Sequence, residues 1–425
     1  MCFIFSLHAV VAADVDADDT NGTALATADA DVVVKQSDNL SSLTLPANNE
    51  VLSAGEGSFT QLAGNLSGQT EVTLTKNYTY VNSDSEYQDG IPITESIKII
   101  GSGNIVIDAS HSARIFNIAS GATVTLQGIT FINGNSNGNG GAIVSQGVLN
   151  VTNCKFINNT ANSGNGGGVF IQGSGSTITS SYFEGNRAIN DGRDSIGAGG
   201  AVFIVSNNVK IVHTKFISNH AGLNGGAIAS KDGITNCSIV NGTFERNTAN
   251  GSAGAVGMQS TNFKMYNSTF RYNEAKGISP VTRYPGNGGA IVLRASNGYV
   301  YNCTFTNNIA KTDGGAVYLT NVTNGTVNNN TGFELCTFTS NTASTGNGGA
   351  INSVARTNYG YVINCNITNN EAYINGGAIY WVGTNGNITG SKFTHNIANR
   401  SGGAIFWIGD TGYLYNSIFR CQIVL

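Results

Sequence analysis

The sequence predicts an all-β protein: a right-handed parallel β-helix, or β-solenoid, with three short strands per coil and a short N-terminal cap. Three observations predict it. Gly-Gly-Ala-Ile or a near copy recurs ten times, starting at Gly140, Gly166, Gly199, Gly225, Ala253, Gly288, Gly314, Gly348, Gly376 and Gly402. The spacings are 26, 33, 26, 28, 35, 26, 34, 28 and 26 residues. A firm floor with occasional excess means one structural unit plus loop insertions. Phe-x-x-Asn-x-Ala runs in phase, from Phe156, Asn159 and Ala161 to Phe393, Asn396 and Ala398, with Ile367 once in place of Phe. Before each Phe come an aliphatic residue, a turn former and a small residue, as in Val300, Asn302 and Cys303.

A unit this short is no domain, and suits one coil of a solenoid. Gly and Asn disfavour helix. The apolar runs are short, rich in Val, Ile, Phe and Tyr, and broken by Gly and Asn, which reads as strands and turns. One strand follows the double Gly, one ends before the first Asn, and one carries the Phe. Stacked coils place like residues in ladders about 4.8 Å apart. The Ile or Val after Gly-Gly-Ala, the Phe, and the small residue two before it all point inward. Asn is expected at two corners, where it tolerates left-handed backbone and can satisfy backbone groups of its neighbours. Architecture thus explains most conspicuous residues before any function is invoked.

Met1–Ala13 reads as the back half of a secretory signal peptide, with Val11-Ala12-Ala13 before Asp14 as the cleavage site. Residues 14–57 read as an acidic, polar, disordered leader. Residues 58–135 hold the cap, marked by Phe59, Leu62, Ala63 and Leu66, and irregular first coils with strands near 71–75, 96–100, 104–108, 113–119 and 122–127. Residues 136–425 are the regular repeats. They stop on Ile423-Val424-Leu425, and Gln422 stands where Asn is expected, which reads as a truncated array.

Net charge is −4 and charged residues make up 11% of 425, so nothing points to nucleic acid or an anionic membrane surface. No apolar run reaches the length of a transmembrane helix. Of seven Cys, Cys154, Cys303, Cys336 and Cys365 hold the inward small position and read as core residues. Cys303, Cys336 and Cys365 fall in successive coils, within bridging reach. No zinc spacing is present, and no cofactor is expected. Several Asn-x-Ser/Thr sequons, among them Asn150 and Asn302, are acceptors only where the corner leaves them open.

Two features remain for function. Phe170, Phe203, Tyr318, Tyr380 and Phe406 lie next to the inward Ile/Val register and are expected to point outward, where they could stack on sugars or apolar groups. Trp381 and Trp407, one residue further on, read as core. Insertions at 189–198 and 276–287 occupy one corner, three coils apart, so they are expected to project about 14 Å from each other. They carry Asp191, Arg193 and Asp194, and Arg283 and Tyr284. A third insertion spans roughly 320–333. Loops on a rigid scaffold are where recognition sits; tolerated drift is the plainer reading.

Catalysis on a β-helix needs acids gathered on adjacent coils. Glu184 and Glu245 share an outward register two coils apart, near 9.6 Å, with Ile217 between them. No third acid joins them, so no catalytic residue and no enzyme are expected.

Alternating Gly-Gly-Ala-Ile and Phe-x-x-Asn resembles the repeats of chlamydial polymorphic outer-membrane proteins. The opening block, LTKNYTYVNSDSEYQDGIPITESIKIIGSGNIVIDASHSARIFNI at Leu74–Ile118 followed by VTLQGITFINGN, resembles adhesin-like proteins of methanogenic archaea. The resemblance spans about Ser58 to Phe419. It implies a β-helix that is exported, displayed at the cell surface and adhesive. Its partners would be glycans or proteins of another cell or the cell wall, and a monomer is expected. It supplies no residue-level binding motif. A carbohydrate-active enzyme and a purely structural stalk are the alternatives.

Overall fold

The computed structural model describes residues 56–279, 284–294, 297–320, 330–354 and 359–425. The signal peptide and leader, apart from Glu56 and Gly57, lie outside the described residues. From Gly55 onward the chain is one compact unit.

The described chain winds into a parallel β-solenoid with three stacked sheets. The Gly-Gly sheet has 12 strands, from Ile91–Ile93 through Val169–Ile171 to Ile405–Ile408. The Phe sheet is the largest and takes two strands from each regular coil, such as Val148–Thr152 and Lys155–Ile157. Between them Asn153 turns the chain at φ 53°, as do Asn267, Asn302 and Asn416 at the same place. The third sheet has 11 strands of two residues, such as Thr160–Ala161 and His220–Ala221. The sequence predicts three strands per coil, two of them on either side of the first Asn. They share one face, and the short strand after Phe-x-x-Asn makes the third.

The second corner also differs from expectation. The left-handed residue is the one before the motif's Asn: Asn158, Ser218, Arg246 and Tyr272 all have φ near 54°. The Asn itself is fully buried and serves as a hydrogen-bond relay. In each step, as at Asn219, the backbone N–H and Nδ2 both donate to Oδ1 of the next coil's Asn at 3.0 Å, while Nδ2 also reaches Phe183 O. The relay runs unbroken from Asn159 to Asn396.

Inside, the Phe rings stack as predicted. Phe156, Phe183, Phe216, Phe244 and Phe270 follow one another at 4.6 to 5.0 Å between centroids, stacked nearly parallel. The Gly-Gly corner is steric. The first Gly is left-handed, Gly225 at φ +68°, and Ala253 holds φ 59° in its place. The second Gly meets the next coil's backbone, so that a Cβ on Gly226 would lie 2.1 Å from Gly254 O.

The N-terminal end is closed by helix α1 (Phe59–Leu66), which buries Phe59, Leu62 and Leu66. Asp84, fully buried, accepts from the backbone of Phe59, Thr60 and Val81 and from Thr60 Oγ1 at 2.7 to 3.1 Å. Burial pushes its carboxyl up, and these bonds at the positive end of the helix outweigh that and hold it below the usual range. The irregular coils are tied to the regular ones by Arg114, which donates to Asp89 O, Ser136 Oγ, Asn139 O and Gly140 O.

Candidate functional site

The outward register of the Gly-Gly sheet reads Val144, Phe170, Phe203, Ala229, Gly257, Val292, Tyr318, Asn352, Tyr380 and Phe406. All five predicted aromatics stand in this one ladder, while Ile/Val one residue earlier is buried. They do not form a continuous stack. Phe170 and Phe203 pair at 5.6 Å and Tyr380 and Phe406 at 5.4 Å, both stacked nearly parallel. Tyr318 stands alone between Val292 and Asn352. Trp381, one residue on, is fully buried, and Trp407 packs against the core.

Ala229 and Gly257 leave a dent between the aromatic groups. It opens into a pocket of about 90 Å³ lined by Gly257 and Val292 below and Asn224, Tyr284, Arg294 and Tyr318 around. This pocket brings together two residues that the sequence placed in separate features, Tyr318 of the ladder and Tyr284 of an insertion. Burial, reinforced by Asp313, pushes the Tyr318 phenol up to about 12, with Arg294 opposing. It is therefore a neutral donor and acceptor at physiological pH.

The insertions do not stand apart as free projections. The loop at 189–198 lies on the next coil's corner, where a Cβ on Gly222 would meet Asn190 N at 2.5 Å. The loop at 276–287 lies on the preceding coil, where Gly251 would meet Tyr284 Cβ at 2.9 Å. Both therefore lean onto neighbouring corners. Within the first loop, Asn190 Nδ2 donates to Arg193 O, and Arg193 forms an ion pair with Asp191. The pair is exposed, and such a pair is worth little. Asp194 belongs to the same loop and is exposed. Arg283 and residues 321–329 of the third insertion lie outside the described residues.

Glu184 and Glu245 do share their register, separated by Ile217. Tyr182 Oη donates to Glu184 Oε2 at 3.0 Å, and Glu245 pairs with Arg246. Burial, then the two acids, push the Tyr182 phenol up to about 12. Among the described residues no three of His, Cys, Asp and Glu converge to hold a metal.

The sequence reading missed a second aromatic patch, on the outside of the Phe sheet. Tyr299 Oη donates to Glu334 at 2.7 Å, and Tyr266, Tyr299 and Tyr301 lie within 6.3 Å of one another. The register of Tyr299, Gly332 and Tyr361 could have shown it, had the strand before the first Asn been laid out coil by coil.

One family of known repeats matches part of this repeat array. Residues 302–320 and 335–354 match the Chlamydia polymorphic membrane protein (Chlamydia_PMP) repeat. No curated protein matches the chain. Among solved structures the chain is similar to ORF18 of Geobacillus virus E2, at 14% identity and TM-score 0.39, covering 70% of this chain and 53% of that one. The chain thus spans about half the length of that protein. It is also similar to two A-modules of Azotobacter vinelandii mannuronan C-5 epimerases. AlgE6 has 12% identity, TM-score 0.40 and coverage of 86% and 93%; AlgE4 has 11%, 0.35, and 84% and 90%. Likeness at this level carries no functional argument.

Proposed function

We propose that this chain is a surface-displayed, non-enzymatic β-helix protein that binds glycans through the outer face of its Gly-Gly sheet. One observation carries the reading: paired aromatic rings, with Phe203, Tyr380 and Phe406 half-buried and Phe170 buried behind Phe203, stand on an outward ladder beside a polar pocket. Flat aromatic faces with hydrogen-bonding groups at their edge suit the apolar C–H faces and hydroxyls of sugars. The match to a membrane-protein repeat supports display at the cell surface. An adhesive role is the reading that joins the two.

The test is a glycan-array screen of the chain, with product analysis on polyuronides and calcium in the same samples. Retention without cleavage, reduced in Tyr380→Ala and Phe406→Ala, supports the reading. Shortened or unsaturated products would return attention to Glu184 and Glu245. Neither binding nor cleavage would leave a structural stalk.

A further inference from the structure

The corner just before each Gly pair carries a polar ladder. Oδ1 of Asn139 accepts from Asn165 N, Asn165 from Ala198 N, Asn287 from Asp313 N, and Asp313 from Asn347 N. Asn224 breaks the rule. Its side chain turns over Gly257, whose Cβ position lies 2.9 Å from Asn224 Nδ2. Its Oδ1 is left without a partner, although the residue is only 7% exposed. A buried, unpaired acceptor is costly, so the departure needs a compensating donor, and Asn224 lines the pocket.

The other pocket groups narrow what that donor belongs to. Arg294 is the charged side chain among the described lining residues. Its Nη1 lies 3.4 Å from the Gln259 amide, which also meets the Asp232 carboxylate. None of the described ion pairs involves it. Asp313 lies at the corner beyond Tyr318, where it bonds Asn347, and does not line the pocket. The volume of about 90 Å³ has room for roughly six water-sized groups, about half the heavy atoms of a uronic acid, so it takes the carboxylate-bearing edge of a sugar and leaves the rest of the ring outside. A guanidinium matches a carboxylate in its planar fork.

We propose that this pocket seats the carboxylate-bearing edge of the terminal sugar of an acidic glycan, of the uronic acid class. Arg294 meets the carboxylate, Asn224 Oδ1 accepts from a ring hydroxyl, and the ring lies against Tyr318 and Tyr284. The proposal rests on the glycan-binding reading above and names its ligand class.

Sodium D-glucuronate and D-glucose, titrated separately into the full chain and followed by saturation-transfer NMR, test it. Glucuronate is expected to bind at least about tenfold more tightly, the scale of a hydrogen-bonded charge pair. Arg294→Gln removes that preference. Asn224→Ala weakens both sugars. Near-UV circular dichroism of each variant checks that it has folded. Equal affinities, or a preference that survives Arg294→Gln, overturn the proposal while glycan retention on the array leaves the broader reading standing. No retention on the array and no saturation by either sugar overturn both.

Discussion

Gln422 completes the amide relay that Asn396 would otherwise leave open. Its Oε1 accepts from both Asn396 N and Asn396 Nδ2 at 3.2 Å, and its Nε2 returns to Phe393 O at 2.8 Å. The side chain is one methylene longer than Asn but plays the same part, with one acceptor facing back and one donor reaching the Phe carbonyl. The sequence reading took residue 422 as a departure from the repeat. It is a conservative exchange, in a coil where Ile418, Ile423 and Val424 are exposed.

In the middle of the relay the same exchange has no room. Asn247 gives two bonds to Asn273 Oδ1 and one to Phe216 O, and receives two from Asn219. Asn247→Ala removes four side-chain bonds to the two neighbouring coils and is expected to cost about 4 kcal/mol, several unmet buried bonds at once. Asn247→Gln adds a methylene to a filled core and should cost about 2 kcal/mol. Equilibrium denaturation followed by far-UV circular dichroism ranks the two. Equal stability of Asn247→Ala and wild type would mean that the relay holds nothing.

The Gly-Gly corner predicts a sharper result. A methyl on Gly226 would sit 2.1 Å from Gly254 O and 2.6 Å from Thr248 O. Both neighbours are backbone, so neither can swing aside. Gly226→Ala should destabilise by about 3 kcal/mol or more. Gly233→Ala is the control. Its Cβ position is open, and only its φ of +79° resists, so it should cost about 1 kcal/mol. Thermal unfolding of both variants checks the order.

The solenoid was legible because every coil repeats the same steric demand. Ile228, Phe244 and Asn247 each recur at a position that admits little else, so periodicity alone exposes them. What escaped was decided between ladders. The relay Asn and the left-handed residue before it are sequence neighbours, and only the second varies: Asn158, Gly185, Ser218, Arg246, Tyr272. Variation there hides a shared backbone conformation. The pocket escaped for a related reason. It depends on Gly257 being small where Phe203 and Tyr318 are large, and on Tyr284 of an insertion lying beside it. Absence of bulk in one register is a weak signal when Gly is common elsewhere.

The thiols follow from burial. Cys154, Cys237, Cys303, Cys336 and Cys365 are at most 2% exposed, and all six described cysteines are free. Burial pushes the Cys154 thiol up to about 11 and raises that of Cys237 as well. A native chain at pH 8 treated with a chromogenic disulfide reagent should therefore label Cys421, which is exposed, and leave the other five until denaturant is added. Mass mapping of the labelled sites reads the result. Rapid labelling of Cys303 or Cys365 in the folded chain would show that the core opens.

Acid should weaken the same solenoid at one definable point. His220 sits in the ladder between Arg187 and Thr248, with Nδ1 2.8 Å from Thr248 Oγ1. Burial, then the positive charges of Arg187 and Lys276, push its imidazole down from the usual 6.5 to about 4. The unfolded chain therefore binds a proton at this residue across the window from 6.5 to about 4, where the folded chain does not. Stability rises with pH wherever the unfolded state holds more protons. The His220 contribution is thus intact above pH 6.5, falls as pH drops through that window, and levels off below about 4. His220→Asn keeps a polar ladder member without the titration, so its stability should be flatter between pH 6.5 and 4 than that of wild type. Parallel slopes in that window, from denaturation midpoints at several pH values, would show that His220 is protonated as readily in the folded chain as in the unfolded one.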